Sequence, residues 1–140
     1  MFLGAYEYKI DEKGRIPLPP KFREQLREGL ILSQGMEKYI AAYPIPEWNK
    51  IAEKLATLPP TRSKARRMNR FTFATAFDIE IDGQGRIMLP SRLREHAEIK
   101  ESVIVAGVNN YLEVWSKENW EAEGALMVEE AWQTSESMER

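Results

Sequence analysis

Polar and apolar residues alternate at the start of the chain. Tyr6, Tyr8 and Ile10 are separated by Glu7 and Lys9, and beyond Gly14 the alternation resumes at Ile16 and Leu18. A strand points successive side chains to opposite faces, so the pattern predicts two half-buried strands joined by a glycine turn, which together read as a hairpin. Pro19-Pro20 then ends the second strand and opens a short helical segment over residues 21–28. Two more apolar runs follow, Leu30-Ile31-Leu32 and Tyr39-Ile40-Ala41-Ala42-Tyr43, with a turn at Gly35-Met36-Glu37 between them. After Pro46 the period lengthens. Trp48, Ile51, Ala52, Leu55 and Leu58 fall at helical spacing, and Pro59-Pro60 closes the helix.

The whole pattern then returns. Ile10-Asp11-Glu12-Lys13-Gly14-Arg15-Ile16-Pro17-Leu18-Pro19 recurs 71 positions later as Ile81-Asp82-Gly83-Gln84-Gly85-Arg86-Ile87-Met88-Leu89-Pro90, and the match extends through Arg23-Glu24 and Arg94-Glu95. One inserted residue shifts the offset to 72, which pairs Gly35 with Gly107, Tyr39 with Tyr111, Tyr43 with Trp115 and Trp48 with Trp120. A duplication of this extent makes each half one structural unit. The second unit is expected to repeat the strands through Phe77, Ile79 and Ile81, through Ile87 and Leu89, at Val103-Ile104-Val105 and at residues 111–115, with a short helix over 92–98. Its closing helix is expected to be capped by Ser116 and to carry Trp120, Gly124, Met127, Val128 and Ala131 on one face.

The predicted division is therefore 5–47 for the first unit, 48–75 for connecting helices, 76–119 for the second unit and 120–140 for a C-terminal helix and acidic tail. Residues 133–140 lack apolar periodicity and are expected to fray. Units of roughly 45 residues rarely bury enough surface to fold alone, so the two should share a core, side by side or with strands exchanged. Oligomerisation is a further source of buried area.

Composition removes several chemistries. The chain has 140 residues, no Cys and one His, which leaves little basis for zinc, iron–sulfur or thiol sites and suits a reducing cytosol. The N-terminal Met1-Phe2-Leu3-Gly4-Ala5-Tyr6-Glu7 lacks the basic and apolar regions of a signal peptide, and no stretch reaches transmembrane length, so a soluble intracellular protein is expected. The net charge of −2 is unevenly spread: residues 113–140 hold 2 basic against 8 acidic side chains, and the preceding body is mildly basic. The run at residues 62–70 holds five basic side chains and no acid; it could bind phosphates, but reads more readily as a solvated face of a helix joining the units.

The most informative motif is the turn Asp11-x-x-Gly14-Arg15 and its copy Asp82-x-x-Gly85-Arg86. Asp starts such a turn by accepting from backbone amides ahead of it, and Gly supplies positive φ. Arginine is not a turn residue. Strand parity sets Arg15 opposite Ile16 and Leu18, and Arg86 opposite Ile87 and Leu89, so both guanidinium groups should leave the core beside the turn, with Lys9 and Lys13 near the first. Two readings stand at this point, a plain hairpin turn and a cationic surface for nucleic acid or another anion. Other motifs fail. Asp78-x-Glu80-x-Asp82-Gly83 begins like a calcium loop but has Leu89 where a bidentate Glu is required, and Gly83-Gln84-Gly85 lacks the third glycine of a dinucleotide fingerprint. His96 has no motif-placed partner and reads as a surface side chain, while Trp48 and Trp120 read as packing residues.

The opening Met1-Phe2-Leu3-Gly4-Ala5, the doubled Asp-x-x-Gly-Arg motif, Tyr43-Pro44-x-Pro46-x-Trp48 and Tyr111-Leu112-Glu113-Val114-Trp115 together resemble the bacterial MraZ family over essentially the whole chain. The resemblance implies a mainly β fold with flanking α-helices, in which two duplicated AbrB-like swapped-hairpin units form a small, shared β-barrel-like core. It also implies a transcriptional regulator of the division and cell-wall gene cluster that binds short repeated promoter boxes in double-stranded DNA. A ring-like homo-oligomer and a cytoplasmic, nucleoid-associated location are implied with it. On this reading Arg15 and Arg86 contact bases, Lys9, Lys13 and Gln84 position the DNA backbone, and Asp11, Gly14, Asp82 and Gly85 form the turns. No catalytic residue, cofactor, metal or membrane is expected. The turns differ at Glu12-Lys13 against Gly83-Gln84, so they cannot present identical charge. The alternative is a protein-interaction module in which the body assembles, the acidic tail or Trp faces recruit a partner, and nucleic-acid binding is incidental.

Overall fold

The structure is a computed structural model and describes residues 1–139; Arg140, the last residue of the expected tail, lies outside the described residues. Among the described residues eight strands form: β1 (Ala5–Lys9), β2 (Arg15–Pro17), β3 (Leu30–Gln34), β4 (Tyr39–Pro44), β5 (Phe77–Ile79), β6 (Arg86–Met88), β7 (Ser102–Val108) and β8 (Tyr111–Ser116). The helices are α1 (Pro20–Arg23), continued by a tight turn at Glu24–Leu26, α2 (Ile45–Ala56), α3 (Ser63–Asn69), continued by a wide π turn at Arg70–Ala74, α4 (Ser91–His96) and α5 (Lys117–Glu139). No helix among the described residues is long and apolar enough to cross a membrane. Nor does any group of His, Asp and Glu there suit a metal ion.

Six strands make one antiparallel sheet in the order β1-β7-β8-β4-β3-β5, and β2 pairs with β6 in a separate ribbon. This corrects the hairpin expected from Tyr6 to Leu18. The turn at residues 11–15 closes locally, with Asp11 N–H donating to Arg15 O and Gly14 N–H to Asp11 O, but β1 leaves it to pair with β7 of the other unit. β5 likewise pairs with β3. Each unit thus lends its first strand to the other's β3–β4 or β7–β8 hairpin, the strand-exchanged form of a shared core. The physical reason is burial: neither half has enough apolar surface to enclose itself, whereas exchange merges both sets. The sheet does not close into a barrel, because β1 and β5 remain as its edges.

A pseudo-twofold axis follows from the register. Ile16 faces Ile87 at the centre of the ribbon, flanked by Arg15 opposite Met88 and Pro17 opposite Arg86. In the sheet Ala41 faces Glu113, flanked by Tyr39 opposite Trp115 and, by extension, Tyr43 stacked on Tyr111 with ring centroids 5.1 Å apart. The ribbon covers one face of the sheet. Ile16, Leu18, Ile87 and Leu89 are fully buried there against Leu32, Ile40, Leu112 and Val114, with Phe22 and Leu93 of the short helices closing the ends. The opposite face carries a smaller aromatic cluster in which Tyr39 stacks on Trp115 at 5.2 Å, Trp120 meets Trp115 at 6.0 Å and Trp48 meets Tyr43 at 5.7 Å. Both predicted Trp packing roles hold.

The C-terminal region also departs from expectation. Ser116 does cap α5, its Oγ accepting from Asn119 N–H at 3.0 Å, but the helix runs on to Glu139 through the segment expected to fray.

Candidate nucleic-acid interface

The β2–β6 ribbon has two faces because its side chains alternate. With Ile16, Leu18, Ile87 and Leu89 turned inward, Arg15, Pro17, Arg86 and Met88 face outward. Arg15 and Arg86 are therefore neighbours across one short ladder, related by the pseudo-twofold axis.

The adjoining turns fix their orientation. Asp11 Oδ1 accepts the backbone N–H groups of Lys13 and Arg15, each at 2.9 Å, while Oδ2 accepts the Arg15 Nε–H at 2.8 Å. Asp82 repeats this with Gln84 N–H, Arg86 N–H and Arg86 Nε–H, all at 2.9 Å. The backbone N–H of Arg15 does most to hold the Asp11 carboxyl below the usual carboxylate range; desolvation, the next largest effect, opposes it, and the Arg15 guanidinium and the Lys13 N–H add to the lowering. Asp82 is held down in the same way, first by the Arg86 N–H. Since only Nε is engaged, the outer Nη groups of each arginine make no hydrogen bond among the described residues. The arrangement is a pair of pre-oriented guanidinium forks on an otherwise apolar ribbon, suited to a planar acceptor pair such as a guanine edge or to a phosphate.

Glycine is required in both turns. Gly14 and Gly85 adopt φ of 80° and 76°. Each also lies beneath an arginine of the other unit, Arg94 over Gly14 and Arg23 over Gly85. Arg94 Nε–H donates to Leu89 O and Arg23 Nε–H to Leu18 O, both at 2.9 Å, so each guanidinium is tethered to its own unit while it lies over the other unit's turn. These two arginines were not singled out as site residues. The signal was present, since the repeat extends through Arg23 and Arg94, but which turn each would cover depends on strand exchange.

The remaining expected site residues divide unequally. Lys9 ends β1 and Lys13 lies in the first turn, both exposed and near Arg15 in the chain. The second turn carries exposed Gln84 in place of Lys13, and Glu80 occupies the position equivalent to Lys9. The first turn is the more cationic. His96, expected at the surface without a partner, is half-buried and its Nε2 lies 2.9 Å from the Glu37 carbonyl.

Comparisons with known proteins agree with this duplicated architecture. A family model described as "MraZ protein, putative antitoxin-like" matches twice, over residues 1–71 and 72–136. A protein of Dehalococcoides mccartyi (strain BAV1) named "Transcriptional regulator MraZ" is 54% identical over 140 residues, covering 99% of each chain. Proteins of the same name from Caldanaerobacter subterraneus and Herpetosiphon aurantiacus are 50% and 45% identical over 121 residues, covering 86% of this chain and 85% of theirs. Two family matches that divide the chain at the internal repeat, with relatives this similar along nearly all of it, establish that the chain belongs to the MraZ family.

Proposed function

We propose that this protein is a sequence-specific, DNA-binding transcriptional regulator that reads bases with Arg15 and Arg86. The observation that supports this is the pair of Asp-locked arginines on the outward face of the β2–β6 ribbon, with free Nη groups and a pseudo-twofold relation. A two-stranded ribbon is narrow enough for the major groove, and a guanidinium fork matches the O6 and N7 acceptors of guanine. Lys9 and Lys13 add sequence-independent attraction to phosphate on one side, and Gln84 supplies a neutral donor on the other. Arg23 and Arg94, each tied to its own unit, act as positioning residues that cover the opposite turns. The relatives' name supports the regulatory role.

The finer reading is that the sites are short repeated boxes upstream of the division and cell-wall gene cluster, occupied at the nucleoid in the cytoplasm by a homo-oligomer. Several ribbons on one assembly would engage several boxes together, which multiplies modest single-site affinities. Fluorescence anisotropy with the DNA upstream of the protein's own gene tests this. Arg15→Ala and Arg86→Ala should each lose about 1–3 kcal/mol per engaged site while circular dichroism stays unchanged. Wild-type affinity in both variants would refute the assignment.

A further inference from the structure

Two charged features lie away from the arginine ribbon. The first is the outer part of α5. Every residue from 125 to 139 is exposed, including Val128 at 58%, Trp132 at 72% and Met138 at 82%. Met127, Val128, Ala131, Trp132 and Met138 recur at helical spacing along one side, so a continuous apolar stripe faces solvent. The free stretch is about 22 Å long at the helical rise, and a lone helix of that length is marginal in water without a partner. Seven glutamates and only Lys117 stand on α5, and none of the seven makes an ion pair among the described residues.

The second feature is a groove in the first unit. A cavity of about 260 Å³ opens between α2, α3 and the β3–β4 turn, lined chiefly by Met36, Tyr43, Trp48, Leu55, Met68 and Phe71. Met36 at its mouth is 67% exposed. Lys54 lines the groove, and α3 with its flanks supplies Arg62, Lys64, Arg66, Arg67 and Arg70. No carboxylate pairs with any of these six cations among the described residues.

An apolar stripe edged with unpaired acids and an apolar groove edged with unpaired bases complement each other. We infer that the outer part of α5 docks in the α2–α3 groove of a second copy of this chain. Charge selects this occupant: pairing α5 with another α5 would set glutamate against glutamate, whereas the groove offers neutralisation together with apolar burial. Each chain carries one donor helix and one acceptor groove, so copies joined this way close into a ring or extend as a filament according to the rotation between neighbours. The inference rests on the self-assembly part of the proposed function and is independent of the DNA contacts.

The natural absence of cysteine makes a direct test possible. Single-cysteine chains Ala131→Cys and Met36→Cys, mixed and mildly oxidised, should form a disulfide between the two kinds of chain in preference to either homodimer. In parallel, sedimentation of the full chain at micromolar concentration should show assembly weakened about tenfold or more by Glu129→Lys/Glu136→Lys, which flank Trp132, and by Arg66→Glu/Arg67→Glu. Mixing the two charge-reversed chains should restore association. A monomeric wild type would overturn both the self-assembly reading and this contact. An assembled wild type whose mass neither reversal alters, with no mixed disulfide, would overturn this contact alone. Loss of DNA affinity in Arg66→Glu/Arg67→Glu with unchanged mass would also overturn it, assigning the α3 cations to phosphate.

Discussion

Arg15 and Arg86 owe their orientation to neighbours rather than to the core: an aspartate four residues earlier holds Nε, and the ribbon's alternation turns the side chain outward. A carboxylate that gains partners on folding has a lowered pKa, so its stabilising effect is complete above the unfolded value near ~3.9 and is lost as pH falls through the lower folded value. The amide resonances of Arg15 and Arg86 should therefore be insensitive to pH from 7 to about 4 and shift below that, with a midpoint under the model-peptide value. A midpoint at or above that value would contradict the hydrogen bonding described. Substitution at the glycines makes a sharper test. Gly14→Ala and Gly85→Ala each force a side chain into positive φ beneath an arginine, and should cost about 1–2 kcal/mol or more in urea unfolding. Gly85→Ala should be the worse of the two, since Arg23 approaches that turn more closely than Arg94 approaches Gly14. The Asp, Gly and Arg roles were legible because each is local. The cover by Arg23 and Arg94 was not, because it joins residues of different repeats.

At the scale of elements, alternation and helical spacing located all eight strands and the main helices, yet gave the wrong partner for β1 and β2. Periodicity reports which face of a strand is buried and carries no information about what lies beside it. The tail shows the reverse limit. Helix formation over residues 133–139 does not need an apolar period once a capped helix is already running, because each added residue gains one backbone hydrogen bond for its own ordering. The Ser116 cap then governs a long element with few tertiary contacts. Ser116→Ala should destabilise α5 by about 1 kcal/mol and lower the helical circular dichroism, with faster amide exchange spreading from residues 125–139 toward Trp120. Unchanged helicity would show that packing at Trp115, not the cap, holds the helix start.

For the whole molecule, the exchange of strands makes a commitment about what one repeat can do alone. In the full chain β1 pairs with β7 and β5 with β3, so residues 1–75 keep the β3–β4 hairpin but lose β7, β6, β5 and β8, the partners of β1, β2, β3 and β4. The missing partners are near-copies of what the fragment itself contains. Ile16 would face Ile16 of a second fragment where it now faces Ile87, and Ala41 would pair about the same axis where it now meets Glu113. Two copies of the fragment can then rebuild both the ribbon and the six-stranded sheet, with a β1 at each edge, one of them in the place of β5. A single copy would leave Ile16, Leu18, Leu32 and Ile40 without the opposing half of their core, and a unit of that size cannot offset the entropy of ordering its chain. Residues 1–75 should accordingly be folded only as a dimer, with concentration-dependent thermal unfolding and unfolded chains on dilution. Light scattering and circular dichroism across a dilution series decide the matter, and a folded monomer would mean that strand exchange is not what completes the core.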